Sequence, residues 1–377
     1  MPPRRAPALG VDAPYPLYTT TYTLHKLSPL HTEPFTSQSL THHSRALRDL
    51  LAGDTLRGVR IALDDETALS KVGALKSVVW KLLGTPSEFE NAQNDDSELG
   101  SSERGSRERE LYLEGNGRGV TINITYERAE YVAILLRHSP EDLSIIGSPE
   151  LGERRRGDIE GFQHYPVMAS RMPINLRNTL VQYLADSFDT HTSSLNFSSS
   201  FLIGTLDSFL DRIYRGLGDN NGAKITKDVL VTFSFAPLPT VDGTKAEEDG
   251  DIRAIDVTIS KDDVAQFLVR GRKALQALSR SGEKAKGGAF WTALSHYARN
   301  HLAMDINHSD VRVAKVACAA FVLGREGRMK VFSPGSLGGG GQGEDANAVE
   351  AAEEIWAECV EEVVERVVSA VETGGLS

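Results

Sequence analysis

Cysteine is nearly absent from this chain: two thiols in 377 residues, Cys318 and Cys359, both embedded in apolar runs. A secreted domain stapled by disulfides would carry more of them, in pairs, so these two read as buried thiols in a reducing compartment. Long apolar runs are missing as well, and no window reaches the roughly 20 residues that a membrane helix requires. Behind Arg4 and Arg5 no apolar stretch follows, so the start lacks the pattern of a secretory signal. Aromatic residues make up only 7% of the chain, yet apolar residues reach 40%, enough to build a core and to exclude wholesale disorder. These features predict an intracellular globular protein, cytosolic or nuclear, long enough for two domains of ordinary size.

Recognisable catalytic patterns are missing too. There is no Gly-x-Ser-x-Gly elbow, and no pair of carboxylates stands out from the solvated background. The run Gly335–Gly343 (GSLGGGGQG) has no Lys-Ser/Thr to close it, so it lacks the groups that would reach phosphates and Mg²⁺ and reads as a linker. Gly115–Gly119 precedes a predicted strand rather than a helix, which makes it a turn. His296, His301 and His308 cluster with Asp305, and His42 adjoins His43. The five-residue step from His296 to His301 puts the two off a common helical face, against a zinc site. Cys318 lies in a buried-looking strand, where a thiol has neither the exposure nor the basic neighbour that a nucleophile needs. The expectation is therefore a non-catalytic protein with no metal and no cofactor.

What the chain has in abundance is acid, unevenly placed. The net charge is −11. Residues 334–377 carry ten acids and one base, residues 86–110 eight and three, and residues 241–251 five and one. Removing those three segments leaves a body of about +7, compatible both with contact to a phosphate backbone and with an ordinary domain bearing solvated acidic loops.

The pattern of residues predicts a flexible arm over residues 1–16 and strands at Tyr18–His25 and Leu56–Leu63. A short helix is expected at Ser44–Leu51, and another at Thr67–Leu83, where Leu75, Val78, Val79 and Leu82 share one side. Residues 86–110 read as a disordered insertion, and Gly119–Tyr126 with Glu130–His138 as a hairpin. Beyond a junction at Gly147–Pro149, helices are predicted at Pro173–Asp186, Ser199–Tyr214, Asp262–Leu278 and Ala289–Met304. Val229–Ala236 and Ile252–Ile259 are predicted as antiparallel strands. Val311–Gly324 reads as one long strand, apolar on both faces, returning through a turn to Met329–Phe332. A last amphipathic helix covers residues 345–372, with Trp356, Cys359, Val363 and Val367 on its apolar side.

Hairpins interrupted by helix pairs indicate an α+β protein with antiparallel curved sheets and flanking helices, in two sub-domains. The expected division is an N-terminal domain at 17–147, a C-terminal domain at 148–333, a glycine-rich linker at 334–344 and the acidic helix. Two sets of basic residues, Arg154, Arg155 and Arg156, and Arg270, Arg272 and Lys273, could line a DNA-backbone groove, although charge runs are usually solvated faces. The last helix has two readings, docking on its own domain or binding a partner.

Two further segments stand out: Tyr18–Leu30 with Leu47–Gly58, and the series Phe290–Leu294, Leu302–Ile306, Val311–Gly324 and Gly327–Phe332. Both resemble the fungal members of the CENP-L family, subunits of the inner kinetochore within the Sim4 complex, or constitutive centromere-associated network. The resemblance implies a curved antiparallel sheet with helices and a structural role in the nucleus, at the centromere. It implies pairing with a CENP-N-like protein and association with other subunits of the network. It also implies late strands that serve pairing with that partner or self-association, and a basic groove near DNA. On this reading the partner interface is expected along Val311, Val313, Lys315, Val316, Phe321, Met329 and Val331, by edge pairing of the late strands. The alternative is a sequence-tolerant DNA-binding protein acting as a homodimer.

Overall fold

The computed structural model describes residues 14–56, 72–86, 88–89, 117–138, 161–235, 253–281, 286–333 and 346–374. They fall into two compact units: Tyr22–Leu195 with the segment ending at Pro16, and Asn196–Ser377 with Leu17–Thr21.

The first unit is an antiparallel sheet with two helices against it. Its strands are β1 (Thr21–Leu27), β2 (Leu30–His31), β3 (Leu75–Leu83), β4 (Gly119–Tyr126), β5 (Glu130–Leu136), β6 (Phe162–Gln163), β7 (Val167–Arg171) and β8 (Thr192–Ser194). The main sheet runs β1-β7-β5-β4-β3, β8 pairs with β1, and β2 pairs separately with β6. The predicted hairpin is β4–β5, with Gly119 opposite Leu136 and Thr125 opposite Glu130. Val120, Ile122 and Ile124 alternate with polar residues along β4 and point into the core, as a strand's two-residue period requires.

Helix α1 (Ser37–Leu56) begins well before the expected Ser44. Thr36 and Ser39 cap the early start reciprocally, each hydroxyl accepting from the other's backbone N–H, and Leu40 adds a buried turn ahead of Leu47 and Leu51. Helix α2 (Ile174–Phe188) buries Leu176, Leu180, Leu184 and Phe188 in the same core. The sequence-based boundary at 147–148 falls outside the described residues, but β7 and α2, which follow it, pack with the first unit.

The helix predicted over Thr67–Leu83 is a strand where it is described: Leu75–Leu83 forms β3 against β4. The spacing of Leu75, Val78, Val79 and Leu82 suits a helix, but alternation won. Val78 and Trp80 are buried with Leu82 packed against the same core, two residues apart in turn, and the β-branched pair with Trp80 favours a pleated surface. Of the strand predicted at Leu56–Leu63, Leu56 ends α1 and the rest lies outside the described residues, as do nearly all of 86–110 and the linker at 334–344.

The second unit has a five-stranded antiparallel sheet in the order β10-β9-β11-β12-β13. The strands are β9 (Val229–Phe235), β10 (Ala254–Ile259), β11 (Val311–Ala317), β12 (Phe321–Gly324) and β13 (Arg328–Val331). The single long strand expected from Val311 to Gly324 is thus two. Cys318, Ala319 and Ala320 turn the chain, the Cys318 N–H donates to the Phe321 carbonyl, and Ala317 ends opposite Val322. All three turn residues are buried, and only small side chains fit a reversal at that depth.

Four helices complete this unit: α3 (Ser199–Ile225, kinked at Gly218), α4 (Lys261–Ser281), α5 (Ala289–His301) and α6 (Ala346–Thr373). Phe209 of α3 meets Phe321 edge-on, and Trp291 of α5 meets Phe233, so α3 and α5 cover one face of the sheet. Helices α4 and α5 cross at Gly271. A Cβ there would lie 1.7 Å from the Ala289 carbonyl oxygen, so the residue must be glycine for the backbones to approach.

Candidate interaction surfaces

Strand β11 lies between β9 and β12, and β12 between β11 and β13. Strand β9 covers one edge of β11 along its length and β12 the other from Lys315 to Ala317, while the Val313 N–H donates to Ser199 Oγ at 3.0 Å; β12 is paired on both sides. Edge pairing of a partner along Val311–Gly324, the expectation from sequence, is closed off in this fold. On β13, the side away from β12 meets Tyr18 in a parallel bridge, and Thr19 N–H donates to the Val331 carbonyl at 2.7 Å.

Of the seven residues expected at a partner interface, Val313, Val316, Phe321, Met329 and Val331 are at most 2% exposed and belong to the core. Val311 and Lys315 are half-buried. Cross-strand register groups Lys315 with Gly324 and Arg328, and Ala317 with Val322 and Lys330. Paired residues point to the same side, so this outer face carries Lys315, Arg328 and Lys330 around Leu230, Ala317 and Val322. Arg312, opposite Ser234, extends it. The Lys330 ammonium sits 4.8 Å from the centre of the Phe332 ring.

The open edge of this sheet is β10. Among the described residues it pairs with β9 alone, from Ala254 opposite Ser234 to Ile259 opposite Val229. Val257 and Ile259 point into the core, while Ala254, Asp256 and Thr258 are exposed. Sequence reasoning missed this edge and the basic outer face. The alternation Arg-Met-Lys-Val in β13 marks the two faces, but the strand order that leaves β10 outermost is not a local property.

Of the basic residues proposed for DNA, Arg154, Arg155 and Arg156 lie outside the described residues. Arg270 and Lys273 are exposed on α4. Arg272 is turned inward, its guanidinium donating to Asp211 at 3.0 and 3.3 Å.

Helix α6 docks on its own unit, which decides between the two readings of the tail in favour of a contact in cis. Trp356, Cys359, Val360, Val363, Val364, Val367, Val368 and Val371 are all buried, and Trp356 meets Phe209 edge-on with ring centres 5.7 Å apart. Along the seam Arg212 of α3 donates to Glu362 at 2.7 Å and to Glu358 at 2.8 Å.

Titratable groups elsewhere have structural work. Burial pushes the Cys318 thiol up to about 12, and the Cys359 thiol likewise to about 12. Neither is a nucleophile at neutral pH. Asp305 accepts from the Asn307 N–H and pairs with Arg299, and both contacts hold its carboxyl below the ordinary range, the backbone hydrogen bond most. His308 lies 3.5 Å from Asp310 rather than joining His296 and His301. His43 sits among Phe35, Trp80 and Phe188, its Nδ1 bonded to the Tyr183 hydroxyl at 2.9 Å. Among the described residues no three His, Cys, Asp or Glu side chains converge as metal ligands. No described helix is long and apolar enough to cross a membrane.

The family model for centromere protein L, CENP-L, matches residues 16–370, nearly the whole chain. The chain belongs to the CENP-L family. No curated protein matches it by sequence. CENP-L membership gives the chain a role as a centromere and kinetochore subunit in chromosome segregation. The antiparallel α+β fold is the one the resemblance implies, and the C-terminal helix is the one expected from residue spacing.

Proposed function

We propose that this CENP-L protein is a non-catalytic structural subunit of the inner kinetochore, acting in the nucleus as part of the Sim4 complex. In this reading it pairs one-to-one with a CENP-N-like protein and through it joins other subunits of the network. The observation that carries the proposal is the family match over 16–370 together with one open sheet edge. A partner strand added to β10 would gain main-chain hydrogen bonds, with the exposed Ala254, Asp256 and Thr258 beside it. The half-buried Val311 and Lys315 lie two strands away, at about 10 Å, on the same sheet.

The test is co-purification with the CENP-N-like protein. Replacing Asp256 and Thr258 by proline removes two edge donors without touching the core. The wild type is expected to co-purify, and the folded double variant to lose the partner. Retention by the variant would remove β10 from the interface. Val313→Asp is no substitute, because Val313 is 2% exposed and the change would disrupt the sheet itself.

A second reading, contact with a DNA backbone, is favoured by Arg312, Lys315, Arg328 and Lys330 on one sheet face. Such contact is sequence-tolerant and steeply salt-dependent.

A further inference from the structure

Helices α4 and α5 enclose a groove of about 290 Å³ on the second unit. Its floor is apolar: Phe267, Ala274 and Ala293. Tyr297 closes one end, its ring 5.6 Å from Phe267 and 4.8 Å from His301. Arg270, His296 and Asn300 stand around the mouth, and no carboxylate lines it.

The arginines around this groove are not equivalent. Arg272 is taken up by Asp211, and Arg299 by Asp305. Arg270 is exposed, makes only a long 3.4 Å contact with the Gln266 side chain, and has no ion pair among the described residues. A guanidinium offers five donors and no acceptor, so its natural complement is a carboxylate or phosphate. The volume falls just below the range of about 300–1,000 Å³ usual for a small-molecule site. It suits a single large side chain of a bound segment.

From this geometry we propose that the α4–α5 groove is a docking site for an acidic peptide segment of a partner protein. One aromatic or large aliphatic side chain of that segment fills the groove over Phe267, Ala274 and Ala293, against the Tyr297 ring, and flanking carboxylates bind Arg270 and the histidine rim. The charge complementarity selects the occupant: a lining with one unpaired guanidinium and no acid repels a basic segment. A DNA duplex could meet Arg270 but has no side chain to bury on the aromatic floor. The site is distinct from the β10 edge and does not rest on pairing with a CENP-N-like protein.

The test uses the full chain as bait for a displayed library of random dodecapeptides, followed by fluorescence anisotropy on the selected peptides. The expected result is enrichment of peptides with acidic residues flanking one aromatic or aliphatic residue. Arg270→Glu should weaken them about tenfold or more, as loss of a charged hydrogen bond implies. Ala274→Phe, which fills the groove without changing charge, should weaken them as well. Because both positions are on the surface side of α4, unchanged thermal unfolding is expected and checks the fold. Three results would overturn the proposal: no peptide selected, selected peptides without acidic enrichment, or equal binding to both variants. A fourth is Arg270→Glu lowering affinity for a DNA duplex while leaving the peptides unaffected, which would make Arg270 a phosphate contact instead.

Discussion

Asp207 does for α5 what the helix's own N-cap residue, Gly288, cannot. Its carboxylate, projecting from α3, accepts the backbone N–H of Gly288 at 2.8 Å and of Trp291 at 3.0 Å. Gly288 has to be glycine, since a Cβ there would meet the carboxyl carbon at 2.8 Å. Asp207→Ala leaves those two N–H groups without an acceptor and is expected to cost about 1–3 kcal/mol in urea unfolding. Burial raises the Asp207 carboxyl above its ordinary 3.8 more strongly than the backbone donors lower it. The stability linked to its titration is therefore full below 3.8 and lost as pH rises through the raised folded value. The penalty of Asp207→Ala should be larger in acid than at neutral pH, and an equal penalty at both would contradict this. His25 and His43 have the opposite sign. Burial lowers both below 6.5, so the folded chain holds them neutral after the unfolded chain has taken up protons. Stability from this source is full above 6.5 and is lost as pH falls below it. The urea midpoint should fall on mild acidification, and His25→Leu should flatten that fall.

At the scale of elements, the last helix shows which interaction holds it. The Arg212 pairs with Glu358 and Glu362 are largely exposed, with the arginine side chain 46% accessible, and such pairs are worth about 1 kcal/mol or less. The seam around Trp356, 0% exposed, is worth more. Trp356→Ala should cost about 3–5 kcal/mol and lower the melting temperature, whereas Arg212→Ala should barely move it. Gly271→Ala should act like overpacking, at about 1–3 kcal/mol, by driving α4 from α5.

The elements read correctly from sequence are those in which periodicity and punctuation agree. The β4–β5 hairpin and α2 are examples. Where an apolar pattern fits two periods, as at Leu75–Leu83, only the neighbouring β4 decides the outcome. The break at Cys318–Ala320 was invisible because small apolar residues look the same in a strand and in a buried turn.

At the scale of the whole molecule, the interaction surfaces were the least legible part. The residues chosen for an interface, such as Val313 and Phe321, were apolar because they form the core. The open edge at β10 follows from a strand order that joins segments 76 residues apart in the sequence, Val311 of β11 opposite Phe235 of β9. The family assignment was legible because it rests on the residues of both chain ends rather than on topology. If the basic face bearing Arg312, Lys315, Arg328 and Lys330 meets DNA, affinity for a duplex should fall steeply between low and physiological salt. Lys315→Glu with Lys330→Glu should abolish the binding measured at low salt.

The central claim is one-to-one pairing with a CENP-N-like protein. The measurement that tests it most directly is the mass, by light scattering after size-exclusion chromatography, of the two proteins co-expressed. The account predicts one peak at the sum of the two chain masses, this chain contributing 41.0 kDa. Two separate peaks, or a peak at twice 41.0 kDa from this chain alone, would contradict it.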